Sequence, residues 1–396
     1  MLGSIYVGLS GMNAFSRGLQ TISNNVANMN TLGFKTTRAS FTDSFNSGGG
    51  WLGSASGLAY GQGGTGVRVG APQIDFKQGE LRASTGQLDL AIDGGGFLML
   101  LEGSQTYYTR TGRFVVGDTG YITLSDSERR LAVIGADGKP AALDIDGDRV
   151  DPPAASTRIV FSGNISSTAT EASVSSINVY DSTGAKQVWQ VKLTPVTSAT
   201  GQWTATVTNQ AGKTMGTSTI KFIGGVIDST SATMTITDAP TGADPLSVVL
   251  DFSKGVTSYS SGTVSSLRVD SVDGSAAGAL SEVGVDADGK IKLTYDNGET
   301  KLLGAVAMVD FRDPDKLKQI GDGLFEYAGS NAPYVTSSGA AGVGKLVSKQ
   351  LEASNVDLSA EFGELILIQR GFQAASQVVS ISNDMIQQLF GVRGQG

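Results

Sequence analysis

Four short runs carry residue types with chemical potential, and each lacks a part its chemistry requires. Gly61-Gln62-Gly63-Gly64-Thr65-Gly66 matches a dinucleotide fingerprint letter for letter, but it leads into the strand-like Val67-Arg68-Val69, whereas a pyrophosphate needs the N-terminus of a helix. Gly339-Ala340-Ala341-Gly342-Val343-Gly344-Lys345 has the glycines and lysine of a phosphate loop. Leu346 stands where a hydroxyl would hold magnesium, and no apolar strand leads into the run. Asp144, Asp146 and Asp148 have calcium-loop spacing, yet Arg149 takes the place of the turn glycine and Ala155 that of the bidentate glutamate. Asp286 and Asp288 fail the same test, and Asp-rich surface turns are the better account of both.

Cysteine and histidine are both absent. Disulfides, thiol nucleophiles and thiolate metal sites are lost with the first. Ser-His-Asp and Cys-His catalysis and imidazole metal sites are lost with the second. Any enzyme built here would work with carboxylates, lysine or tyrosine. A glycosidase, for example, would need two carboxyl groups about 5 to 10 Å apart in one cleft, and a sugar-release assay would detect it. No cofactor, no metal and no catalytic residue is expected. A net charge of -8 gives neither a nucleic-acid surface nor a polybasic patch for an anionic membrane. No stretch reaches the length of a membrane span, and the N-terminus lacks the basic start, apolar core and small-residue cleavage site of a secretory leader.

What the chain must position is apolar surface. Ile5, Met12, Leu19 and Val26 fall seven residues apart, with Leu9, Phe15 and Ile22 filling the intervening turns, so Gly3 to Lys35 reads as a helix with a coiled-coil seam. About 25 helical residues reach roughly 37 Å, too long and thin to bury that seam alone. The matching stripe lies at the other end of the chain: Leu358, Leu365, Phe372, Val379 and Ile386, with Phe362, Leu389 and Phe390 beside them. Gln369, Ser376 and Asn383 are read as the interrupted second line of that seam. Ser354, Asn355 and Asp357 offer capping oxygens before the second helix, and Glu361 and Glu364 put negative charge in its first turns. The two ends are expected to pack lengthwise and to complete their burial against further copies of the chain, gaining order as they dock.

Between the helices the period changes to two. Gly48 to Gly66 reads as a Gly/Ser-rich loop. Val67, Val69, Ile74, Phe76, Leu88, Leu90, Ile92 and the run from Phe97 to Leu101 begin a β domain. Its later strands are expected around Asp296-Asn297-Gly298, the strongest short hairpin signal in the chain. Asp144 to Asp148 and Pro152-Pro153 mark the crossing into a Ser/Thr-rich insertion of alternating strands. The expected class is α+β, mainly β, with long coiled-coil-like helices at both ends, a discontinuous β domain and an inserted antiparallel β sandwich or barrel. The expected divisions are 1–35 with 354–396 for helical assembly, 36–67 as linker, 68–145 with 273–353 as inner β domain, and 146–272 as outer insertion.

Ser10-Gly11-Met12-Asn13-Ala14, followed by Ile22 to Lys35, resembles the N-terminal signature of the bacterial flagellar rod and hook family. Leu351 to Leu358 and Gln369-Arg370-Gly371-Phe372-Gln373-Ala374 are similar to its C-terminal partner signature, with Ala375 where the family usually has Asn. The residues carrying the likeness are Asn24, Asn25, Asn28, Thr31, Gly33, Phe34, Lys35, Ser354, Asn355, Val356, Asp357, Gln369 and Arg370. Phe76 to Leu81 and Tyr108 to Phe114 resemble the core shared by axial proteins. The length of 396 residues, the insertion and Val309 to Pro314 look like the hook branch rather than the shorter rod proteins.

The resemblance implies a structural subunit that polymerises with itself into a hollow curved tube, carries motor torque to the filament and serves swimming motility. It further implies export through a type III apparatus to the cell exterior, and contacts with the rod, the hook cap and the hook-filament junction proteins. Phe41 and Phe45 resemble a Phe-x-x-x-Phe export element; the alternative is that two aromatics one turn apart simply pack. The competing readings are a distal rod protein, which would lack so large an insertion, and a secreted β-rich adhesin, which would bind without residues 1 to 30.

Overall fold

The computed structural model describes residues 2–43, 66–135 and 137–393. Phe45 and nearly all of the Gly/Ser-rich run, including the Gly61 fingerprint up to Thr65, lie outside them. The mainly β class with a long helix at each end holds. Helix α1 is Leu2–Ala27 and helix α2 is Leu358–Arg393. The chain forms two compact units: Met1–Ile145 with Gly284–Lys292 and Leu302–Gly396, and Asp146–Val283 with Leu293–Lys301.

In the first unit, α1 stops where the Asn28 side chain bonds back to a carbonyl of its last turn. Asn28 donates its side-chain amide to Asn24 O at 2.8 Å, and Thr31 donates its hydroxyl to Asn28 Oδ1 at 3.1 Å. Gly33 then turns the chain at φ +67°, where a Cβ would stand 3.1 Å from Thr111 Cγ2. Residues 36–43, expected as linker, are instead pinned in two antiparallel ribbons: Thr37–Arg38 with Gln73–Ile74, and Phe41–Asp43 with Val67–Val69. The β core runs antiparallel from Lys345–Ser348 through Asp89–Asp93, Thr111–Val116 and Ile122–Leu124 to Arg130–Ile134. Phe97–Glu102 and Gln105–Thr109 extend it. Its centre is aromatic: Phe97 meets Phe76, Phe311 and Phe325 edge-on or tilted at 5.5 to 5.7 Å between ring centres.

The second unit is built on a ten-stranded sheet around a core of Trp189, Val191, Leu193, Trp203, Phe161 and Phe252, the last pair stacked at 4.5 Å. Alternation along Lys186–Pro195 and Gln202–Asn209 sends every second side chain inward. The expected all-antiparallel insertion needs one correction: Arg158–Asn164 runs parallel to Leu246–Asp251 and to Val256–Thr257. The return to the first unit comes in two steps and later than residue 273, because the Asn-Gly hairpin tip stays with the second unit. Asn297 donates to Asp151 Oδ2 at 3.0 Å and Ala276 O at 2.8 Å, and Lys301 reaches Asp148 at 2.7 Å.

Candidate assembly site

The two signature runs meet around one buried carboxylate. Glu352 is fully buried and accepts from the Lys35 ammonium at 2.5 Å, the Arg110 guanidinium at 3.0 Å and the Gly79 N–H at 2.8 Å. Its own backbone N–H donates to Thr111 Oγ1, and its carbonyl accepts from Gly33 N–H at 2.9 Å. Lys35 also donates to Lys77 O at 2.6 Å, while Arg110 donates to the carbonyls of Gly96 and Gly94. Burial pulls the Lys35 ammonium below the usual lysine range, and the Glu352 charge works against that fall. Asn355 closes the same joint: its Oδ1 accepts from Thr36 N–H and hydroxyl at 2.7 and 2.9 Å, and its amide donates to the carbonyls of Asp75 and Lys77. A chain segment from each signature is thus clamped to the β core by charge-assisted bonds in a dry environment.

Of the three expected caps of α2, Asp357 serves: its Oδ1 accepts from Ser359 N–H at 2.8 Å and Ala360 N–H at 3.3 Å. Asn355 is spent in the joint, and Ser354 accepts only a long 3.4 Å bond from Val356 N–H. Phe34 is buried beside the joint, Val356 half-buried, and Gln369 and Arg370 exposed on α2.

Helices α1 and α2 run antiparallel in contact, but along a different line from the apolar stripe. Gly8, Gly11, Ala14, Gly18, Ile22 and Asn25 are the buried positions of α1. A Cβ at Gly8 would stand 2.6 Å from Val379 Cγ2 and 3.2 Å from Ala375 O, and one at Gly18 would stand 2.7 Å from Ile368 Cδ1. On α2, a Cβ at Gly371 would strike the Phe15 ring at 2.5 Å. Small residues let the helices approach closely, and Ala375 in place of a larger polar residue is part of that fit. The second line of the α2 seam is therefore Glu361, Ile368, Ala375 and Ser382; Gln369, Ser376 and Asn383, one position later, are exposed. One residue turns a helical position by about 100°, enough to move it off the contact.

The expected assembly residues divide accordingly. Ile22 is buried; Ile5, Met12, Leu19, Val26, Leu358, Leu365, Val379 and Ile386 are half-buried on the flanks of the seam. Leu9, Phe362 and Phe372 are exposed. Leu389 lies in α2, with its side chain outside the described residues. Phe41 rests on Phe15 with ring centres 6.1 Å apart. A second apolar row on α2, absent from the sequence reading, points away from α1: Leu367 is 70% exposed, Ile381 57% and Met385 53%, with Ala374 and Val378 between them. Their spacing of seven, four, three and four is the signal that would have found it. No helix among the described residues is long and apolar enough to cross a membrane.

Residues 5–35 match the family described as flagella basal body rod protein, and residues 347–391 match the flagellar basal body rod FlgEFG protein C-terminal family. Both ends of the chain thus match models of flagellar rod and hook proteins. Relatives matching from end to end are flagellar hook proteins FlgE. That of Treponema pallidum is 26% identical over 99% of this chain and 100% of its own length, and that of Rhizobium meliloti 29% over 99% of each. The Escherichia coli protein is 26% identical over 97% of this chain and 98% of its own. A solved structure of the Helicobacter pylori hook protein FlgE2 superposes with a TM-score of 0.48 at 13% identity, covering 69% of this chain and 99% of that one. The two matched segments are the ones the buried Glu352 joint holds together.

Proposed function

We propose that this chain is a structural subunit of the bacterial flagellar hook, polymerising through its terminal helices into a hollow curved tube that passes motor torque to the filament. The observation that carries the reading is that α2 is apolar on two faces while α1 covers one of them. A lone chain leaves Leu367, Val378, Ile381 and Met385 wet, an apolar row of the kind that marks a protein interface. A contact of this kind that does not close on itself propagates as a helix of subunits. In this reading the subunit has no catalytic activity, is exported through the flagellar type III apparatus, and lies outside the cell between the rod, the hook cap and the hook-filament junction proteins. The half-buried stripe Ile5, Met12, Leu19 and Val26 and the exposed Leu9 and Phe362 complete the contact surface.

Electron microscopy of the concentrated subunit tests this. Intact chains are expected to form short curved tubes, and chains lacking both terminal helices to form none. Ordered tubes from the truncated chain, or no polymer from the intact one at any concentration, would overturn it.

A further inference from the structure

The helix seam contains a second buried carboxylate, and its surroundings are unlike those of Glu352. Glu361 is 5% exposed on α2, and both of its oxygens lie 3.1 Å from the Asn25 side-chain amide of α1. Asn25 is itself fixed, donating to Thr37 O at 2.8 Å and accepting from Thr37 N–H at 3.0 Å. Two cations and a backbone N–H surround Glu352; one neutral amide meets Glu361. The charged groups facing it are Arg38 from the strand Thr37–Arg38, Glu364 from its own helix and Asp357, which caps that helix. Arg38 is mostly exposed and lies 3.7 Å from Asp75. No lysine or arginine forms an ion pair with Glu361 among the described residues.

We propose that Glu361 is a proton-operated latch on the helix pair: neutral, it lets the first turns of α2 seat on α1 and on the strand Thr37–Arg38; ionised, it loosens that seat. A buried carboxylate with one neutral donor carries a desolvation cost that the neutral acid avoids. Burial accordingly pushes the Glu361 carboxyl above the ordinary glutamate range; the Asn25 bond opposes the rise, Glu364 and Asp357 add to it, and Arg38 opposes it. The sign follows from linkage. A carboxyl raised in the folded chain contributes stability that is full below about 4.3, the ordinary value, and is lost as pH climbs through the raised one.

The latch belongs to the single subunit and stands whether or not chains polymerise, so it is read on dilute protein. Hydrogen exchange in residues 18–27 and 358–368, corrected for the intrinsic rate, is expected to speed up about tenfold for each unit by which the carboxyl is raised, between pH 4.5 and pH 8. Glu361→Gln, which keeps an acceptor for Asn25 without the charge, is expected to stay protected at both pH values. A wild-type profile flat across that range, or a Gln variant with the wild-type pH dependence or with fast exchange at both ends, would overturn the latch. If the variant does not fold, the carboxyl-carbon titration of Glu361 in the wild-type chain decides: a midpoint above the ordinary glutamate value supports it, and one at or below that value overturns it.

Discussion

Glu352→Ala is expected to destabilise the first unit by about 3–5 kcal/mol, because removing the anion strands two cations in a dry site. Lys35 and Arg110 both aim at that carboxylate, and the Gly79 N–H loses its acceptor as well. The size of the loss comes from the uncompensated charges more than from the attraction of the pair itself. Lys35→Met should cost less, since Glu352 keeps Arg110 and the Gly79 N–H. Urea denaturation followed by circular dichroism gives the comparison. A loss under about 1 kcal/mol for Glu352→Ala, the level of an exposed ion pair, would contradict the reading of this joint as a clamp.

Leu367→Glu combined with Ile381→Glu is expected to leave the subunit folded and abolish its assembly. Neither side chain meets α1, so a charge there costs the lone chain little. In a polymer each would forfeit about 1.5–3 kcal/mol of apolar burial, roughly 3–6 kcal/mol together, before any cost of burying the charge. At 1.4 kcal/mol per decade, the concentration needed for polymer rises by about two to four orders of magnitude. Sedimentation of variant and wild type side by side measures it. Polymer at the wild-type concentration would show that this face stays wet in the tube.

How much of this was legible in the sequence depended on the range over which each signal acts. Helices at both ends followed from apolar residues seven apart, and the hairpin at Asn297-Gly298 from two residues with a single favoured turn. The register of the helix pair did not follow, because counting large apolar residues passes over Gly8, Gly11 and Gly18, where the absence of a side chain makes the contact. The Glu352 joint was beyond local pattern altogether: Lys35 lies 317 positions away, and a buried pair that distant leaves no periodicity. Arg110 and Glu352 each sat inside recognised runs, yet their partnership exists only in the folded chain. The parallel strand Leu246–Asp251 was missed for a similar reason, since alternation is the same whichever way a strand runs.

Because the chain has no cysteine, a single Ile381→Cys thiol reports directly on whether a second copy covers the free face of α2. Its reaction rate with a maleimide, measured on dilute subunit and on polymer, is expected to fall at least tenfold on assembly. Equal rates in the two states would contradict the account.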